Sequence, residues 1–298
     1  MKYLGWFLKG VAMGAANVIP GVSGGTIAFV TGIYERFINA LKSIDLTALK
    51  LLFSFKIKDL LERVDAIFLI FILAGAGLSI LSLANILERS FLHYETLTLA
   101  FFFGLILASI LGVGRQITSW SLKVLVVLFM GVAVAVFIAF LPPAESSTSI
   151  WYMLLCGVVA VCSMILPGLS GSYILLLMGN YLVVLQAISN LDLPILIPLG
   201  LGCVAGLAIF SRLLSYLFAN FKDLTISILT GFVVGSLLII WPWKETHYQQ
   251  ITEEKVKAVG YDWQLPTLDT EFVVALGLMV IGFFLVYGME KVAASKNA

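Results

Sequence analysis

Apolar residues fill most of this chain in runs long enough to cross a bilayer, and polar residues are confined largely to the gaps between them. Six uninterrupted runs, at 65–87, 96–114, 121–141, 194–218, 224–243 and 271–289, each approach the ~20 residues that a helix needs to span the hydrocarbon. Two further stretches, 4–41 and 150–190, are broken by Pro20-Gly21-Val22-Ser23-Gly24-Gly25 and by Pro167-Gly168-Leu169-Ser170-Gly171-Ser172. Each break leaves arms of roughly 15 to 18 residues, about 22 to 27 Å as helix. Proline and paired glycine end helices, and hydrocarbon tolerates the freed backbone only where protein or a water-filled cavity satisfies it. Short arms around such a break predict a hairpin that enters the membrane and turns back.

The two breaks are related by a shift of 147 residues, which carries Pro20 to Pro167 and also maps Gly21, Ser23, Gly24, Gly32 and Tyr34 onto Gly168, Ser170, Gly171, Gly179 and Tyr181. A second shift, of 127 residues, maps Gly75, Thr98, Gly104 and Ser109 onto Gly202, Thr225, Gly231 and Ser236. These small residues, with Gly112 and Gly235, suit close packing between helices in lipid. The pattern predicts two repeats, 1–141 and 142–298, each a hairpin plus three transmembrane helices, with 45–63 an interfacial helix.

Charge supplies a topology. With both hairpins re-entrant, Lys2, Lys9, Lys42, Lys50, Lys56, Lys58, Arg63, Arg115, Lys123, Lys222, Lys291 and Lys296 share one side, while the opposite side receives Glu145, the turn near Asp192 and the acidic loop from Lys244 to Glu271. Arg89 and a few loop lysines run against the trend. The excess of Lys and Arg marks the cytoplasmic side and puts both termini there. Three spans separate the hairpins, so the repeats are expected to be inverted: an all-α polytopic membrane protein of two inverted-topology repeats. Trp151, Tyr152, Trp241 and Trp243 fall at the expected outer boundary, as an aromatic belt does.

Composition agrees: 61% of the 298 residues are hydrophobic and 12% charged, with mean hydropathy +1.06 and net charge +1. No basic field argues for nucleic acid. Cys156, Cys162 and Cys203 lie in apolar runs without a CxxC pair, and His93 and His247 are far apart, so neither a disulfide framework nor a metal site is expected, and no cofactor. Lys9 cuts the first apolar run too short for a cleaved leader, so the N terminus is read as retained.

The chemistry sits in the breaks. Each outgoing helix starts at a serine, with Ser23, Gly24, Gly25 and Thr26 in one copy and Ser170, Gly171, Ser172 and Tyr173 in the other. Helix starts present free N–H groups at a positive dipole end and bind anions. Serine caps the new helix, and glycine lets an anion approach the backbone. A single copy reads as a capped turn; two copies meeting near the midplane favour a substrate site for an anionic head group. Glu35 and Arg36 are placed about 14 Å along the first outgoing helix from Thr26, near the cytoplasmic surface, as a point where a head group is admitted or released. Arg212 either holds a phosphate bidentately or reaches the inner surface. Asn17, just before the first break, is read mainly as a partner of the hairpin backbone, with substrate contact secondary.

Gly14-Ala15-Ala16-Asn17-Val18-Ile19-Pro20-Gly21-Val22-Ser23-Gly24-Gly25-Thr26-Ile27-Ala28 with Gly32-Ile33-Tyr34-Glu35, and the second motif through Met178-Gly179-Asn180-Tyr181, closely resemble the PopT family of bacterial undecaprenyl-phosphate translocases. The resemblance covers nearly the whole chain. It implies a plasma-membrane transporter, not an enzyme, that returns undecaprenyl phosphate, the lipid carrier of cell-wall precursors, from the outer leaflet to the inner. Some members carry Asp where this chain has Asn17, so a carboxylate coupling role there does not transfer, and coupling to a proton or to sodium is left open. Two other classes stay in view: a channel or carrier for a small soluble anion, and a membrane lipid-phosphate enzyme using Ser23 or Ser170 as nucleophile, for which no neighbouring base is evident.

Overall fold

Helix starts and glycine turns set the path of the chain. The computed structural model describes residues 2–18, 23–252 and 255–295, so Pro20, Gly21 and Val22 lie outside the described residues. α1 (Lys2–Val18) leads to the first break, after which Ser23 caps α2 (Gly24–Val30): its hydroxyl accepts from the Gly25 amide at 3.0 Å. Gly32, at φ +70°, ends α2 and starts α3 (Tyr34–Lys42). The same order returns 147 residues later, with α8 (Ile150–Ile165), α9 (Gly171–Leu177) and α10 (Tyr181–Asn190). There Gly179, again at φ +70°, separates two helices that meet at 117°.

Each outgoing arm, expected as one helix, is therefore two short ones, because a left-handed glycine stops the helix. Each arm folds back on its incoming helix. The Lys9 ammonium donates to the Thr31 carbonyl at 2.7 Å, and the Tyr152 hydroxyl donates to the Met178 carbonyl at 2.8 Å.

The stretch expected as one interfacial helix over 45–63 is likewise divided, into α4 (Leu46–Phe53) and α5 (Ile57–Arg63), by Phe55 at φ 55°. α6 (Ala66–Gly114) joins two expected spans. It reverses at Tyr94, where the Thr98 hydroxyl donates to the Ser90 carbonyl at 3.3 Å; a straight helix would hold those positions about 12 Å apart. α7 (Leu122–Ala139) and α11 (Leu193–Asn220) follow their expected bounds closely. α12 (Lys222–Ser236), at 15 residues, is shorter than the span expected over 224–243, since the chain leaves the helix after Ser236 and continues in turns. The stretch expected as an acidic loop folds instead into an antiparallel pair, β1 (Lys244–Thr252) and β2 (Lys255–Trp263), before α13 (Thr270–Ser295).

The molecule is 78% helical. Among the described residues four helices are long and apolar enough to cross a membrane, or up to six if two bent pairs each count as one span. This is a multi-pass, all-α membrane architecture carrying one short sheet among the described residues.

Four helix pairs form its frame, and backbone contact at glycine holds each. α1 lies on the first limb of α6, where a Cβ at Gly10 or Gly14 would strike the Ile72 or Ala76 carbonyl. α8 lies on α11 the same way, with Gly157 against Leu199 and Gly202 against Leu154. α7 packs on α12 through Gly131 and Gly231, and α13 packs on the second limb of α6 through Gly104 and Gly282.

Polar contacts sort the loops into two ends. At one, Lys222 pairs with Glu35 at 3.6 Å, Asp223 receives the Thr118 and Ser119 hydroxyls, and Arg115 lies over Tyr287. At the other, the Ala144 amide donates to the Leu177 carbonyl, Asn180 clamps Ser147, and the Trp263 indole donates to the Leu238 carbonyl.

Candidate functional site

The two breaks meet. Thr26, 1% exposed, accepts the Gly168 amide on its hydroxyl oxygen at 2.8 Å. The Ser23 hydroxyl donates between the Met164 and Leu166 carbonyls at 3.3 and 3.4 Å, and the Tyr34 hydroxyl donates to the Ile165 carbonyl at 3.1 Å. Three hydroxyl groups of the first hairpin thus satisfy freed backbone groups at the end of α8, where a helix inside an apolar bundle has no water to bond its last carbonyls. Only glycine fits at position 25, because a Cβ would run into the Ile165 carbonyl. Gly168 sits at φ +84° with the Phe232 carbonyl directly beside it.

The two helix starts differ. At α2 the Gly24 amide donates to Asn17 Oδ1 at 2.8 Å, the Gly25 amide to Ser23 Oγ, and the Thr26 amide to the Ser23 carbonyl at 2.9 Å. The N–H groups expected to be free are consumed within the hairpin, and Ser23, Gly24, Gly25 and Thr26 are all buried. Asn17 has the backbone role expected of it. At α9, Ser170 makes no capping bond; its hydroxyl pairs with that of Ser172 at 2.9 Å, and Ser172 is exposed. The Tyr173 hydroxyl is turned to the Ala139 carbonyl at 3.3 Å, and Gly171 is buried against Ala160 and Met164.

The charged candidates lie elsewhere. Glu35 and Arg36 belong to α3, not to a continuation of α2, because Gly32 intervenes. Arg36 clasps Asp65 with two bonds, from Nε at 2.6 Å and Nη2 at 2.9 Å, and stacks over Trp6 and Phe68. Arg36 and Asp65 line an open cavity of about 470 Å³ together with Gly32, Glu35, Asn39 and Arg63. Arg212 is exposed and donates to the Ala208 carbonyl of its own helix at 2.8 Å, so the structure does not bring it to the junction.

Sequence reasoning missed Tyr34 as a junction residue, although its recurrence as Tyr181 signalled a special position. It also missed Lys9, whose bond to Thr31 ties α1 to the end of α2, and the partnership of Arg36 with Asp65, which no spacing announces. Among the described residues no group of His, Cys, Asp or Glu is placed to hold a metal ion.

Comparison with known proteins agrees with the motifs. A family model described as undecaprenyl phosphate translocase-like matches residues 13–258. A polyprenyl-phosphate transporter of Vibrio cholerae serotype O1 is 39% identical over 301 residues, covering 98% of each chain. A polyprenyl-phosphate transporter of Staphylococcus aureus is 30% identical over 317 residues, covering all of both chains. No solved structure matches this chain. The buried junction of Ser23, Thr26 and Tyr34 with the end of α8 therefore sits in a protein that belongs to the undecaprenyl phosphate translocase-like family.

Proposed function

We propose that this protein carries undecaprenyl phosphate across the bacterial plasma membrane, from the outer leaflet to the inner, by alternating access around the junction of its two breaks. The observation that carries the reading is that junction itself: buried hydroxyls of one hairpin bonded to the helix end of the other. The two hairpins are read as re-entrant loops of inverted repeats. Ser23, Thr26 and Tyr34 of the first touch the second at the end of α8, while α3 reaches the end that holds Lys222 and α9 ends beside the loop that holds Ser147. The positive-inside rule puts the first of those ends, and with it both termini, in the cytoplasm. The halves exchange their last helices, since α7 lies on α12 and α13 on α6.

A phosphate monoester needs donors and positive potential inside the membrane, whereas its polyprenyl tail can stay in lipid. In the joined state the phosphate is assigned to Ser172, which is exposed, and to the half-buried Ser170 paired with it at the start of α9. The Ser23 and Thr26 hydroxyls become available only when the end of α8 withdraws, which gives the two accessible states of the cycle different sets of polar groups. Because Asn17 and Ser23 hold the Gly24 and Gly25 amides within the hairpin, those side chains must also turn aside before the amides reach a phosphate.

The test is leaflet exchange of undecaprenyl phosphate in liposomes, with and without imposed proton or sodium gradients. Wild type should exchange the lipid, and a Ser170→Ala/Ser172→Ala variant should exchange it more slowly. Uptake of a soluble anion without lipid movement, or no lipid exchange by wild type, would overturn the reading.

A further inference from the structure

The cavity at the basic end is built around an arginine held more firmly than a surface ion pair requires. The Arg36 guanidinium lies 4.2 Å from the Trp6 ring centre and 4.4 Å from that of Phe68, in the corner made by two rings that meet edge to face. Its bidentate partner, Asp65, stands at the start of α6, where an aspartate ordinarily caps the helix. Asp65 makes no capping bond; it adopts φ 48°, ψ 46°, a conformation rare outside glycine, and gives both carboxylate oxygens to Arg36. The pair is about one-third open to solvent, at 39% and 35% side-chain exposure, so an incoming anion can reach it.

Arg63, from the last turn of α5, lines the same cavity and is held by Asp45 at 2.7 Å. Both cations of the cavity are thus parked on carboxylates, and the remaining acid, Glu35, faces Lys222. A carboxylate and a phosphate present the same forked oxygens to a guanidinium. The cavity's position also fits a lipid head. α4, α5 and the turn between them expose Leu46, Phe53, Phe55 and Leu61 beside Lys50 and Lys58, the pattern of helices seated in an anionic leaflet, which suits a cavity mouth at head-group depth.

We propose that this cavity is the inner port of the transport path, where a phosphate-monoester head binds Arg36 and Arg63, and that the Asp65 carboxylate occupies Arg36 whenever the head is absent. The inference rests on the lipid-phosphate reading given above. Displacing Asp65 exchanges one anion for another, so the guanidinium is never left without a partner during release. Glu35, compensated by Lys222, opposes prolonged binding of the head and favours its departure to the leaflet.

Equilibrium binding by the purified full chain tests this, with farnesyl phosphate as a short polyprenyl phosphate, farnesol as its uncharged counterpart, and inorganic phosphate as the head alone. Arg36→Gln and Arg63→Gln are expected to weaken farnesyl phosphate binding about tenfold or more, the range of a lost charge-assisted bond. Asp65→Asn, which keeps the shape and tolerates the left-handed backbone, is expected to tighten it several-fold. Farnesol binding should not change, and inorganic phosphate should follow the same order more weakly, which identifies the phosphate as the recognised group. Inorganic phosphate binding as tightly as farnesyl phosphate would overturn a lipid port in favour of a free-anion site. If Arg36→Gln fails to fold, Arg63→Gln and Asp65→Asn carry the test. Wild-type lipid exchange together with three variants that bind like wild type would overturn the port alone, as would weaker binding by Asp65→Asn; a wild type that neither binds nor exchanges the lipid would overturn the transport reading as well.

Discussion

Replacing Thr26 by valine removes one oxygen from the junction and leaves its shape nearly unchanged. That oxygen accepts the Gly168 amide at 2.8 Å in a site where Thr26 is 1% exposed, so neither protein nor water replaces it while the tips stay joined. An orphaned buried donor costs about 1–3 kcal/mol, a factor of roughly 5 to 150 in the equilibrium between joined and parted tips. Thr26→Val should therefore lower the thermal unfolding midpoint of the purified protein and speed hydrogen exchange of the Gly168 amide. Thr26→Ser keeps the acceptor and should stay close to wild type in both. Equal damage from the two variants would show that side-chain shape, not the hydroxyl acceptor, holds the junction, and wild-type melting by Thr26→Val would refute the argument outright.

Gly104→Ala should destabilise the protein by about 1–3 kcal/mol, since its Cβ would strike the Met279 carbonyl between α6 and α13, whereas Gly277→Ala, with open space around it, should be neutral or slightly stabilising; thermal unfolding separates the two. Lys244, partly buried where β1 begins, is held at about 8 by desolvation, with Glu95 opposing the shift. Between about 8 and the ordinary lysine value of 10.5 the unfolded chain binds the proton that the folded chain has released, so stability should rise with pH across that window, and the cost of burying the charge is complete below it. Melting curves at pH 7 and pH 10 should show a larger rise for wild type than for Lys244→Gln; identical rises would remove Lys244 as the cause.

The broad architecture was legible because spans in lipid must be long, apolar and internally bonded, and because the shift of 147 residues lined up the two breaks and the glycines that follow them. Ser23 and Gly32 were visible in that alignment, but Gly32 and Gly179 were read as repeat markers and not as the φ +70° turns that divide each outgoing arm. The joining of two spans through Tyr94 was not legible, since polar residues near a membrane surface suit a loop and a helix equally. The strands over 244–263 carry no clean alternation of apolar and polar residues, so nothing marked them against an acidic loop.

At the site, sequence gave the residue types but not their pairing. Free amides at both helix starts were expected, yet Asn17 and Ser23 consume those of α2, because a side chain seven residues back is brought alongside only by the folded hairpin. The Arg36–Asp65 clasp depends on how α3 lies against the start of α6, a tertiary relation that a single sequence does not record.

Hydrogen–deuterium exchange at the Gly168 amide, followed with and without undecaprenyl phosphate, tests most directly whether the tips part to receive the lipid head. Strong protection in the empty protein that falls when undecaprenyl phosphate is added, with farnesol inert, is the expected result. Protection unchanged by the phosphate lipid, in a preparation that moves it between leaflets, would contradict a transport path through the junction.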